Sequence, residues 1–404
     1  MDKSELRQIL QEQDQKKDDG QIIRRECEDA IRETPFVLVI SGLRRVGKST
    51  LLRQLRKKRD GHFMNFDDER LIGFTIADFQ PLLELMIELY GEKDTFYFDE
   101  IQNIHGWERF VRRLYDSNKK VYVTGSNANL LSKELGTHLT GRYTSLCLYP
   151  FSFKEYLIFR GISIESDTTQ GRASLKKAFH KYILEGGLPD YLKTGDTDYL
   201  KTLYQSIIYK DVLARYKLTA EKTLKELVQY IASNAGKEQS YNALRKTLSI
   251  GSPTTVKEYL GYLENTYLLF LIPQQVASFK KQLYANKKAY IIDTALATTI
   301  GSRMTKDAGR LLENVIFLAL QRHGKDIAYY RGDGECDFVG NGYAIQSCLE
   351  LTTENKTREI NGLLAAMKTL RIMKGHILTL DQEETIKQGR RTIRIMPVWK
   401  WLLS

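Results

Sequence analysis

The stretch Gly42-Leu43-Arg44-Arg45-Val46-Gly47-Lys48-Ser49-Thr50 constrains this chain more than any other. Two glycines with four residues between them, followed by a lysine and a hydroxyl, fit the pattern G-x-x-x-x-G-K-[ST]. The flanks suit it. Phe36–Ser41 reads FVLVIS, a β-rich apolar run of the kind buried on both faces of a parallel sheet. STLLRQLRKKRD then has helical character. A strand, a glycine loop and a helix in that order make an anion cradle. The glycines let backbone N–H groups curl around phosphate oxygens, and the helix N-terminus adds partial positive charge. Lys48 would reach the β- and γ-phosphates, and Ser49 would hold Mg²⁺. Arg44 and Arg45 add charge at the loop tip, where they can face solvent, nucleotide or a partner.

The segments that follow alternate. HFMNFDD (62–68), TFYFDE (95–100), KVYVTGS (120–126) and YTSLCLYP (143–150) read as strands; ADFQPLLELMIELY, WERFVRRLYDSN and NANLLSKEL read as helices. Such alternation predicts an α/β fold with a parallel sheet. TFYFDE ends in two acids. Asp99 at the strand's carboxyl end suits the magnesium shell, and Glu100 suits a residue that orients and polarises the attacking water. Ser126 and Asn127, after the next strand, suit γ-phosphate sensing if that strand neighbours the cradle strand; they equally suit a turn. Arg142, in LTGRYTS, fits an arginine finger, in trans in an oligomer or in cis otherwise, and equally an ordinary surface arginine.

Composition sets the outer bounds. The chain has 404 residues, 42% apolar and 27% charged, with a formal charge of +11. That excess favours polyanions such as nucleic acid, although most of the charge is a solvated surface. Four scattered cysteines form no metal-ligand spacing and suit a reducing cytoplasm. No apolar run is long enough to span a membrane, and the first residues, MDKSELRQILQEQDQKKDD, lack a signal-peptide core. A cytoplasmic protein is expected, with no membrane partner.

After Pro150 the pattern turns helical. SYNALRKTLSIGSPTTVKEYLGYLENTYLL reads as a helix-turn-helix, with Ser252 as cap and Pro253 at the first helical position. Residues 276–295 read as a hairpin with two lysine pairs. This is a winged-helix pattern. Residues 221–290 carry ten basic and five acidic side chains. The candidates for DNA contact are Thr254, Thr255, Lys257, Lys280, Lys281, Lys287 and Lys288. Protein docking, or simple protection of a sheet edge, accounts for the same lysines.

Taken together, GLRRVGKST, YFDEIQ, VTGSNANLL, LTGRYTSLCLYPFSFKEYL, EGGLPDY, YKDVLARYKL and LLENVIFLAL with GECDFV and YAIQ resemble archaeal and bacterial AAA-type ATPases. In that family the P-loop domain is followed by a C-terminal domain of unknown function. The resemblance covers the chain from about residue 20 to the end. It implies ATP binding and hydrolysis, with Lys48, Ser49, Asp99, Glu100 and Arg142 in the roles above. It implies an ASCE/AAA-like P-loop sheet of order 5-1-4-3-2, a winged helix, and a C-terminal α/β unit like a restriction-endonuclease core. PD-(D/E)xK nucleases set a helix glutamate, a strand aspartate and a following E-x-K around Mg²⁺. Here Glu313 and Asp337 match, but Gln346 and Cys348 stand where the acid and lysine belong, so a fold kept for binding or assembly suits the residues better than cleavage.

The expected organisation is a P-loop domain over 1–150 with a helical arm at 1–33, a helical bridge over 151–220, a winged-helix-like module over 221–295 and the nuclease-like unit over 296–404. The leading expectation is an ATPase using ATP and Mg²⁺ to move its C-terminal half, with DNA as partner. An ATP-dependent nuclease, and an ATP-occupancy switch or scaffold with a protein partner, are the alternatives.

Overall fold

The apolar run before the cradle forms β1 (Val37–Ser41), buried at all five positions. The computed structural model describes residues 1–15, 22–31, 34–127, 139–301 and 307–404. Two units are distinguished, Met1–Leu148 and Tyr149–Ser404.

The first unit runs α1 (Lys3–Gln15), β1, α2 (Lys48–Lys58), β2 (His62–Asn65), α3 (Phe79–Tyr90), β3 (Thr95–Asp99), α4 (Trp107–Asp116), β4 (Lys120–Gly125) and β5 (Tyr143–Cys147). All four strands expected after β1 are present. The five form one parallel sheet of order β2-β3-β4-β1-β5, the 5-1-4-3-2 order that the resemblance implied. From residue 128 the helix expected over NANLLSKEL lies outside the described residues.

Register fixes what can meet. Ser41 of β1 pairs with Gly125 of β4 and Cys147 of β5, and Phe98 of β3 pairs with Val123 of β4. The carboxyl ends of β1, β3 and β4 therefore share one edge, where a ligand site belongs in an open parallel sheet. Leu51, Leu52 and Leu55 form the buried stripe of α2, and Arg56, Lys57 and Lys58 in its last turn complement the helix dipole. An aromatic core supports this edge. Phe79 stacks on Phe110 at 4.4 Å and meets Phe74 at 5.1 Å. Each such ring contributes about 1.5–3 kcal/mol by leaving water.

The second unit begins with α5 (Phe153–Phe159), α6 (Thr169–Glu185), α7 (Pro189–Thr194) and α8 (Thr197–Ser206), which passes into a π-helical stretch, Ile207–Ala214. It continues through α9 (Glu221–Ser233), β6 (Glu238–Gln239), α10 (Tyr241–Thr247), α11 (Pro253–Asn265), β7 (Leu269–Pro273), α12 (Phe279–Tyr284), β8 (Lys287–Ile291) and α13 (Thr294–Ile300). As the sequence suggests, Ser252 caps α11, its hydroxyl accepting the Thr255 N–H at 3.0 Å, and Pro253 opens the helix. The lysine hairpin needs correcting. Its strands are β7 and β8, paired antiparallel within a sheet of order β6-β8-β7, and the stretch between them coils into α12. The apolar run LFLIP took the place of the first strand.

The chain ends with α14 (Ala308–Arg322), β9 (Ala328–Arg331), β10 (Glu335–Gly340), β11 (Tyr343–Ser347), α15 (Lys356–Thr369), β12 (Lys374–Thr379), β13 (Glu384–Gln388), β14 (Arg391–Pro397) and α16 (Val398–Leu402). Its sheet has the order β13-β14-β12-β11-β10-β9, with β11, β12 and β14 parallel and the outer strands antiparallel.

Candidate nucleotide-binding site

The loop between β1 and α2 turns through three positive-φ residues: Gly42 at 143°, Arg45 at 65° and Gly47 at 103°. A Cβ on Gly42 would sit 2.4 Å from the Leu148 carbonyl oxygen, so the first glycine is required by contact as well as by angle. Lys48 is buried. Its Nζ donates to the Gly42 carbonyl at 3.2 Å and the Leu43 carbonyl at 3.1 Å, and lies 3.4 Å from Glu100 Oε1. The ammonium is thus held across the loop mouth.

The acids stand opposite. Asp99 ends β3, 1% exposed. Burial raises its pKa above the ordinary carboxylate value, and Glu100 adds to this; the hydroxyls of Thr124 and Ser49 oppose it. Thr124 Oγ1 donates to Asp99 Oδ1 at 2.5 Å and accepts the Glu100 N–H at 2.9 Å, so one hydroxyl fixes both acids. Glu100 has φ 50°, the left-handed region that a branching side chain enters at a cost. Gln102 Nε2 donates to Glu100 Oε2 at 2.5 Å. Burial pushes the Glu100 pKa up, but the Lys48 charge, the Gln102 amide and Arg44 together hold it below its usual value.

Ser126 follows Gly125, the partner of Ser41, so β4 does deliver it beside the cradle. Its Oγ is buried and makes no hydrogen bond among the described residues. Asn127 is fully buried next to it. An orphaned hydroxyl, a buried carboxylate raised by burial and a cradle of backbone amides all fit a Mg²⁺–nucleotide. Ser49 and Asp99 would hold the ion, Gly42–Thr50 and Lys48 the phosphates.

Arg142 falls elsewhere. It precedes β5, whose Tyr143 pairs with Val37, and its carbonyl accepts the Val37 N–H at 2.9 Å. That is the amino end of the sheet, about five residues or 16 Å of strand from the cradle. Its Nε lies 3.6 Å from Asp116. The structure therefore excludes Arg142 as a finger in cis. Arg44 is half-buried and Arg45 exposed.

Three groups escaped the sequence reading. Thr124 is the polar residue inside an otherwise apolar strand, and that misfit is a readable signal. Gln102 offers none. Arg25 is buried, its Nη1 donating to the Val46 carbonyl at 3.2 Å and thus bracing the loop from outside the motif.

The second unit holds the other candidates. Thr254 and Lys257 on α11 are exposed and Thr255 is half-buried. Lys280 and Lys281 on α12 are exposed, and Lys287 on β8 is half-buried, with burial lowering its pKa. Lys288 corrects the list: at 3% side-chain exposure it points inward, 2.9 Å from Asp337 and 3.2 Å from Glu313. The nuclease-like residues do converge, Glu313 from α14 and Asp337 from β10. Gln346 is committed otherwise, its Oε1 accepting the Asp337 N–H at 3.2 Å and its Nε2 donating to Glu359 at 2.8 Å. The Cys348 thiol points to the Glu350 carbonyl, at 3.1 Å. Among the described residues no helix is long and apolar enough to cross a membrane.

Residues 34–157 match the AAA domain family, and residues 176–307 match a domain of unknown function, DUF8612, which ends before α14. An uncharacterized protein of Methanocaldococcus jannaschii is 33% identical over 394 residues, covering 91% of this chain and 88% of its own. An uncharacterized protein of Haemophilus influenzae is 34% identical over 327 residues, covering 76% and 80%. A solved structure from Pyrococcus horikoshii, a signal transduction ATPase with numerous domains and a tetratricopeptide repeat sensor, shares 16% identity and a TM-score of 0.29. The match covers 74% of this chain and 45% of that one, and a score that low carries no argument. The AAA match spans the parallel sheet and its phosphate cradle, and the archaeal relative matches along nearly its whole length; residues 34–157 are an AAA-type P-loop domain, and the chain belongs to one family with these uncharacterized relatives.

Proposed function

We propose that this protein binds ATP with Mg²⁺ and hydrolyses it, and that the nucleotide state changes the conformation of residues 149–404. The observation that carries the reading is the shared edge of β1, β3 and β4, where Lys48, Asp99, Glu100 and the Thr124 hydroxyl form one hydrogen-bonded group. Mg²⁺ bound there would neutralise charge on the β- and γ-phosphate oxygens. Lys48 trades its carbonyl and Glu100 contacts for phosphate oxygens. Glu100, freed from Lys48 and still held by Gln102, accepts a hydrogen bond from the attacking water and aims it. Ser126 donates its hydroxyl to the terminal phosphate, so loss of that phosphate unsettles the end of β4. Arg142 is left for a trans role in an oligomer.

Phosphate release by the purified chain tests this. Glu100→Gln is expected to lower turnover about 10²–10⁴-fold with ATP still bound, and Lys48→Ala to abolish binding. Unchanged turnover in Glu100→Gln refutes its role.

DNA is the partner we favour. On α12, Phe279 (74% exposed) and Tyr284 (83%) flank exposed Lys280 and Lys281. Neighbouring aromatic and cationic side chains offer base stacking and phosphate contact together. Stable nucleotide retention, very slow turnover and no DNA affinity at low salt would instead favour an occupancy switch with a protein partner. Magnesium-dependent cleavage lost in Asp337→Ala would favour a nuclease.

A further inference from the structure

We infer that the Lys288 ammonium fills the place a divalent cation would take between Glu313 and Asp337, so that this acidic cluster carries a counter-charge supplied by the chain itself and is no cleavage centre. The inference is independent of the nucleotide reading. A nuclease-like core implies a metal held by these acids, and the residues present do not fit one.

The geometry is specific. Lys288 Nζ lies 2.9 Å from Asp337 Oδ1, 3.2 Å from Glu313 Oε1 and 3.6 Å from Glu335 Oε1. Three acids from two elements, α14 and β10, face one ammonium from a third, β8. Two of the acids have further partners. Tyr290 donates its hydroxyl to Glu313 Oε1 at 2.6 Å, and Asp337 Oδ2 accepts the Ser347 N–H at 2.9 Å. Gly236, at φ 77°, closes another side: a Cβ there would stand 2.9 Å from Glu313 Oε2. Asp337 and Glu313 are 9% and 14% exposed, leaving little room for a hydrated ion or a phosphodiester. A divalent ion needs about six oxygen ligands. An ammonium has three N–H donors; Asp337 and Glu313 each accept one, and Glu335 at 3.6 Å adds an ion pair. Gln346, the motif position that could add an oxygen, is occupied with Glu359 and the Asp337 backbone. Among the described residues no group of His, Cys, Asp and Glu is arranged to hold a metal.

Lys288 also changes what the module does. It ties the β6-β8-β7 sheet to the six-stranded sheet through a buried ion cluster, and removing one partner of such a cluster leaves uncompensated charge.

The test is Mn²⁺ titration calorimetry of the nucleotide-free full chain. Four proteins are compared: wild type, Lys288→Ala, Asp337→Asn, and Lys288→Ala with Asp337→Asn. Lys288→Ala, which vacates the place of the ammonium, is expected to gain a Mn²⁺ site at least tenfold tighter than any in wild type, and the added Asp337→Asn to remove it. Asp337→Asn in the wild-type background is expected to leave the isotherm unchanged. No gain in Lys288→Ala, or a wild-type Mn²⁺ site lost in Asp337→Asn, overturns the inference. If Lys288→Ala fails to fold, the comparison of wild type with Asp337→Asn decides alone.

Discussion

The Thr124 hydroxyl serves two acids at once, giving its proton to Asp99 and taking the Glu100 N–H. Valine has the same shape without the hydroxyl. Thr124→Val should therefore cost about 2 kcal/mol in a denaturant titration, because a buried carboxylate and a backbone donor lose their partner. Turnover should fall with it, since the left-handed turn at Glu100 loses its anchor. His62 gives a pH prediction. It is 1% exposed, neither ring nitrogen has a hydrogen-bond partner among the described residues, and its pKa is lowered to about 4 by burial and then by Lys93 and Arg56. The folded state resists protonation while the unfolded chain takes a proton near pH 6.5. Stability from this group is thus full above pH 6.5 and lost as pH falls toward 4. In His62→Phe, urea midpoints followed across that window should lose this part of their slope.

Elements with strong periodic signals could be read directly from the residues. β1, β3 and β4 are built on the apolar runs VLVI, FYF and VYV, and each appears within a residue or two of its expected span. The edge strand β13 could not be read this way: ETIKQ buries almost nothing, so only its pairing with β14 makes it a strand. The cradle and its two acids were legible because their chemistry requires particular residue types in order. Of the Arg142 alternatives only the finger in cis falls, and chain order already told against it: Arg142 precedes the strand Tyr143–Cys147 and so lies at its amino end, away from the cradle. Lys288 misled because a lysine pair at a strand start looks the same whether it faces water or a buried acid. On α12 the lysines and aromatics are exposed, which the proposed nucleic-acid contact requires. Lys280→Ala with Lys281→Ala should weaken DNA binding at all sequences alike and reduce the slope of log affinity against log salt by about two. An unchanged slope in fluorescence anisotropy would remove α12 from the interface.

At the scale of the molecule, cations are supplied in two ways. On the proposed reading residues 1–148 borrow theirs along with a nucleotide, and binding should stabilise them by mass action. At a hundredfold excess of Mg²⁺–ATP over its dissociation constant the gain is about 2.7 kcal/mol. Calorimetry should detect it, and Lys48→Ala should erase it. Residues 149–404 carry a positive charge of their own on a strand of the chain, 3% exposed. A chelator consequently sorts the halves: EDTA should cancel the ATP-dependent rise in melting temperature yet leave the melting of 149–404 where it was, because no reagent can strip an ion that is covalently part of the polypeptide.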